Sequence, residues 1–228
     1  MAKKKSPSKR STVASRAHQR FSLTHDRACT AIAARNLTLG MLEQWKHKVN
    51  DEHKMALDIA MSDITRSAVM LGVASMDTYF TARFAELLVP YIKKKGAKQS
   101  LVATLADAGL DTSQALEMLT MDKPYRRIRT LIDAYLERYT TQRIEVIDKL
   151  FLCYGLKNFC ASAQKKAKRK NLIRRVELIV ERRHKIVHEG DLNSHHKLNK
   201  IDHDEVLRQL KDLKVFVDSA HSITENLR

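Results

Sequence analysis

Apolar side chains recur at spacings of three and four through most of the chain beyond Thr24. Glycine, proline or a run of lysines marks each break in that rhythm. The strongest stretch carries Ile64, Val69, Leu71, Val73, Met76, Phe80, Phe84, Leu87 and Leu88. So many apolar positions predict a central, largely buried helix over 52–95. Lys93–Lys95 and Gly96 form its last turn and stop. Before it, the pattern predicts a helix over 24–49, with Thr24 and Asp26 in the cap region. After it come short helices within 97–123, turning at Gly109 and Asp122. A helix over 123–139 follows, with Pro124 in the first turn, then one over 141–154 that stops at Gly155. Residues 158–188 read as one or two helices closed by Gly190. DLNSHHKLNKI (191–201) is a polar loop. The last element, 202–227, is amphipathic, with Val206, Leu210, Leu213, Val217 and either Ala220 or His221 on its apolar face. No segment alternates as a strand does. The expectation is an all-α helical bundle with long helices and short connections.

Composition sharpens this picture. With 6 glycines and 3 prolines in 228 residues, the chain lacks the turns that a sandwich or barrel needs. The formal net charge of +16 speaks to partners rather than to fold. Nucleic acid comes first, because phosphate neutralisation supplies most non-specific binding, and an anionic membrane surface second. Residues 1–20 hold seven Lys/Arg, no acid and almost no large apolar residue. They predict a basic disordered tail over 1–22, followed by one helical domain over 23–228. Three scattered cysteines without a CxxC pair fit a reduced, cytoplasmic protein. No apolar run is long enough to span a bilayer, so no transmembrane helix is expected, and with nucleic acid preferred the expected partners include no membrane.

One stretch carries candidate chemistry: RRHKIVHEGD, residues 182–191. His184 and His188 lie four apart, on one helical face. Arg183 and His188 lie five apart, about 140° around a regular helix. Either the last turn unwinds before Gly190, or a second copy of the helix completes the site, as a two-fold dimer allows. Imidazole takes and gives protons near neutral pH. Guanidinium grips phosphate through paired hydrogen bonds. These groups suffice for RNA transesterification without a cofactor: a base deprotonates the ribose 2′-OH, an arginine steadies the phosphoryl oxygens and an acid protonates the leaving 5′-oxygen. DNA has no such internal nucleophile. Arg20 and His25 repeat the bare spacing, but outside any strong helix.

RRHKIVHEGD resembles the HEPN superfamily motif, an arginine and a following polar residue with a histidine four to six residues beyond the arginine. Its form is most similar to the RiboL-PSP-HEPN branch, as is the stretch VASMDTYFTARFAELLVPYI (73–92). The resemblance spans a domain from about 24 to 227. It implies a dimerising helical bundle and a metal-independent endoribonuclease of the kind found among toxins and antiphage effectors, with RNA, a second copy and an antitoxin or defence-system protein as partners. It assigns Arg183 as the motif arginine, His188 as the motif histidine and His184 as the intervening polar residue, where Asn or Asp is more usual.

Around this core, Asp77, Glu189 and Asp191 are candidate supporting acids. Asp77 stands in an apolar helix stretch and can orient a site residue or pair structurally. Residues 165–185 carry ten Lys/Arg against two glutamates, so Arg174, Arg175, Arg182 and Lys185 are candidate RNA contacts. Tyr125, Tyr135, Tyr139 and Tyr154 can stack bases or simply pack. Two rival readings stand. The first is a metal site among His184, His188, Asp191, His195, His196, Asp202, His203 and Asp204, without a fixed ligand spacing. The second is a non-catalytic basic module that binds nucleic acid or a partner protein, whose terminal cations complement the helix dipole.

Overall fold

The computed structural model describes residues 14–44 and 50–227. The first helix, α1, runs Arg16–Glu43, and α2 runs Asp51–Lys95. Three shorter helices follow: α3 (Gln99–Asp107), α4 (Thr112–Met118) and α5 (Pro124–Leu136). Then α6 (Ile144–Phe151) passes into a 3-10 turn, Leu152–Tyr154. The last three are α7 (Phe159–Ala167), α8 (Leu172–Glu189) and α9 (His203–Thr224). Among the described residues no strand forms; Leu192 and Leu198 make an isolated bridge.

The central element is α2, which packs against α1, α5, α6, α8 and α9. Its start is capped by the Asn50 side chain, which accepts from the His53 N–H. Val69, Val73, Met76, Phe80, Phe84, Leu87 and Leu88 are buried on it as the spacing predicts, whereas Ile64 and Leu71 are only partly covered. Gly72 sits where α9 crosses: a Cβ there would overlap Leu210 Cδ2, so the absent side chain sets how closely the helices approach. Phe151, Phe159 and Phe216 close around Phe80 to complete an aromatic core.

One boundary differs from expectation, and one alternative is resolved. The first helix begins at Arg16, not near Thr24, because Ser15 caps it by accepting from the His18 N–H. Ala17 and Phe21, placed by the sequence in a disordered tail, are buried against the bundle. A lone phenylalanine among polar residues has no visible periodicity, yet it anchors this turn. The rest of that expected tail, residues 1–13, lies outside the described residues, as do 45–49, where the first helix was expected to end. The 158–188 stretch resolves into two helices, since Lys168 and Asn171 both adopt positive φ and break it.

Buried polar groups tie the helix ends together. Arg83, with no exposed surface, donates to Thr224 Oγ1 (2.8 Å), Glu86 Oε2 (3.0 Å) and Glu225. Glu86 in turn accepts from Ser15 Oγ (2.6 Å) at the start of α1. Beside it, the His18 ring stacks on His221 at 4.3 Å, and His18 Nε2 lies 2.7 Å from Asp218 Oδ1. Tyr79 OH lies 3.2 Å from His221 Nδ1. Burial, then the nearby Arg83 and His18, push the His221 imidazole down from its usual 6.5 to about 4.

This shift has a sign. Between the folded value near 4 and the unfolded 6.5, the unfolded chain binds the extra proton. Stability is therefore complete above the unfolded value and is lost as pH falls through that window. Between about pH 7 and pH 5, denaturant titration of the native chain should show a loss of about 2 kcal/mol from this group. His221→Gln should flatten that slope. An unchanged slope in the variant would assign it to another group.

Candidate active site

The C-terminal half of α8 is where the candidate chemistry lies. Leu172, Val176 and Ile179 form its buried stripe. Arg183 continues that stripe four residues on, where core cover runs out, and is half-buried. His184 and His188 are exposed on a neighbouring face, their rings 4.5 Å apart at 43°. The helix stays regular through Glu189 and stops at Gly190, whose φ of +63° closes the turn. The last turn therefore does not unwind to bring Arg183 and His188 onto one azimuth.

Instead, both residues border one open groove of about 900 Å³. Arg174, Glu177, Glu181, Arg183, His184, Lys185, His188 and Glu189 of α8 line one wall. The segment from Arg138 to Val146, joining α5 to α6, lines the other. Arg174 is held by Glu181 (2.6 Å) and Glu177 (3.7 Å).

Other candidates are placed differently. Asp191 does not line the groove. It is fully buried at φ +57°, and its Oδ2 accepts from Arg66 Nε (2.8 Å) and Arg182 Nη2 (2.7 Å). Its backbone carbonyl accepts from Asn199 Nδ2. Its contacts are thus structural: they lash the end of α8 to α2 and to the returning loop. Arg182 is consumed by the same pairing and also donates to the Lys200 carbonyl. Arg175 turns to α9, where it shares Asp212 with Arg169. Glu189 stays on the groove rim.

Asp77 reaches the groove only through its far wall. Its carboxylate accepts from Thr141 Oγ1 (2.5 Å) and Gln142 Nε2 (2.9 Å), pinning the far wall to α2. It touches neither motif residue. Apart from Tyr139, that wall, with Arg138, Gln142 and Arg143, was not among the residues singled out from the sequence. It lies some forty positions from the motif, and no local pattern marks it. Of the tyrosines, Tyr139 lines the groove, while Tyr135 and Tyr154 are buried and Tyr125 lies under Lys93.

Apart from the adjacent His184 and His188, the residues of the metal reading are dispersed. Asp191 is paired internally, Asp202 caps α9 by accepting from Asp204 and Glu205 N–H, and His195 and His196 stand on the exposed loop. Among the described residues, no group of three His, Cys, Asp or Glu side chains is arranged to hold a metal ion. Burial pushes the Cys153 thiol up to about 12 and raises Cys160 further, so neither is poised as a nucleophile. No described helix is long and apolar enough to cross a membrane.

Comparison with known proteins adds one positive finding. The model of a family described as RiboL-PSP-HEPN matches residues 41–226, more than four-fifths of the chain. No curated protein and no solved structure matches.

The buried carboxylate yields a prediction. Asp191→Ala leaves two guanidinium groups without their buried partner, a change that typically costs about 3–5 kcal/mol. Urea unfolding should show a loss of that order, whereas Arg183→Ala should shift stability far less. Equal, small shifts would mean that the pairing does not hold the helix end.

Proposed function

The chain belongs to the RiboL-PSP-HEPN family, and on that footing we propose that it is an endoribonuclease working without a metal ion. HEPN membership suggests a ribonuclease or other nucleic-acid-related role, and HEPN domains bind RNA and often dimerise. One observation carries the finer reading: Arg183, His184 and His188 border a single open groove.

The chemistry follows from those groups. A neutral His188 imidazole removes the proton of a ribose 2′-OH. The 2′-oxygen forms a bond to the adjacent phosphorus as the bond from phosphorus to the 5′-oxygen breaks. Arg183 donates hydrogen bonds to the phosphoryl oxygens as charge builds there. A second imidazole, protonated, gives its proton to the departing 5′-oxygen. The products are a 2′,3′-cyclic phosphate and a 5′-hydroxyl.

Arg183 and His188 leave a regular helix about 140° apart, so a composite site in a homodimer supplies the second acid–base group: His188 of one copy serves as base and that of its mate as acid. His184, with its ring against His188, orients it. Through the family, such an enzyme fits a toxin or antiphage effector held in check by an antitoxin or defence-system protein.

A mixed pool of cellular RNA, incubated with EDTA, tests the reading. The native chain should leave cyclic-phosphate ends. Acid–base groups typically contribute about 10²–10⁴-fold, so His188→Ala should fall by at least about 100-fold. Arg183→Ala should fall by about 10²–10³-fold. Three folded and equally inactive proteins would favour a non-catalytic binding module instead.

A further inference from the structure

The wall facing α8 is built to hold charge in a fixed place. The Arg138–Arg143 segment is anchored at its middle. Thr141 is fully buried, its Oγ1 2.5 Å from Asp77 Oδ1 and 3.0 Å from Thr81 Oγ1, and Gln142 Nε2 donates to the other Asp77 oxygen at 2.9 Å. Arg138 and Arg143 flank that anchor, exposed, and both line the groove. Among the described residues neither has a carboxylate within ion-pair distance, and the same holds for Arg183 and Lys185 across the groove. Arg174, by contrast, already occupies Glu177 and Glu181. Glu145 and Glu189 remain as the other acids of the lining.

We propose that Arg138 and Arg143 grip the phosphates flanking the scissile linkage of an unpaired RNA strand, making the α5–α6 connection a second anchoring wall. This rests on the ribonuclease reading of α8. Guanidinium forks match phosphate oxygens in pairs, and a pinned segment presents them without first having to be ordered. The groove is of small-ligand size, about 900 Å³, which suits a short single strand rather than a duplex. In-line attack by a 2′-OH also needs a linkage free of A-form stacking, and proteins find such linkages in unpaired segments. Arg138 and Arg143 are positioning residues: they act on the neighbouring phosphates, and α8 acts on the reacting one.

Binding separates this proposal from the reading beneath it. The full chain carrying His188→Ala, in EDTA, is titrated into a fluorescein-labelled single-stranded RNA of roughly a dozen nucleotides across a salt series. Adding Arg138→Ala and Arg143→Ala should weaken binding by about tenfold or more. It should also flatten the dependence of log Kd on log salt by about 1.4, roughly 0.7 for each phosphate no longer neutralised. Lysine at both positions should restore most of that slope, and unchanged thermal midpoints would show that the fold is intact. If the double alanine variant keeps the parent Kd and slope while Lys185→Ala weakens binding, the anchoring wall is wrong and the α8 reading stands. If the parent binds no RNA at any salt and the native chain leaves no cyclic-phosphate ends, both fall together.

Discussion

The carboxylate of Asp191 holds the motif-bearing end of α8 in place. It has no exposed surface, and a buried carboxylate is tolerable only when its oxygens are fully engaged. Arg66 from the central helix and Arg182 from the last turns of α8 meet on one of its oxygens. Arg66 reaches on to the Asn199 carbonyl, closing the loop back over the pair. Gly190 and Asp191 are both in the left-handed region, which turns the chain sharply enough to drive the acid beneath its own helix. The motif helix therefore ends at a fixed height and rotation on α2, and the groove inherits that rotation.

Two neighbouring arginines take opposite parts as a result. Arg182 and Arg183 project about 100° apart around α8. One faces the buried acid and is immobilised; the other continues the apolar stripe into the groove. The same division governs the wider surplus of positive charge. Arg66, Arg83, Arg169 and Arg175 are engaged by carboxylates on other elements, so they add little to the field that a phosphate chain would meet. Among the cations that no carboxylate engages, Arg138, Arg143, Arg183 and Lys185 face common space in the groove. A net charge of +16 points towards polyanions, and the pairing pattern removes those buried or shared arginines from the surface that one would meet.

Much of the architecture was legible beforehand. The long α2 helix, the proline start of α5 and the glycine stops after α6 and α8 follow from short-range periodicity and capping. The family was legible too, since a helix ending in Arg183, His184 and His188 has a recognisable family form. The N-terminal boundary was not, because Phe21 finds a partner in Tyr79 on α2, well beyond its own helix. Asp77 was marked as unusual, an acid in an apolar stretch. Its partners, Thr141 and Gln142, lie more than sixty residues away, and nothing near Asp77 names them.

The sequence by itself determined the helical fold, the order of its helices and most of their breaks, the positive surplus and the motif at one helix end. Each depends on spacing, side-chain type or capping within a few residues, and those energies are local. Only the tertiary structure decided which arginines are engaged by carboxylates, that Asp191 braces the motif helix from beneath, and that a second wall stands opposite α8. Those outcomes depend on which carboxylate a long, flexible guanidinium meets after packing, and packing joins positions that the sequence holds far apart.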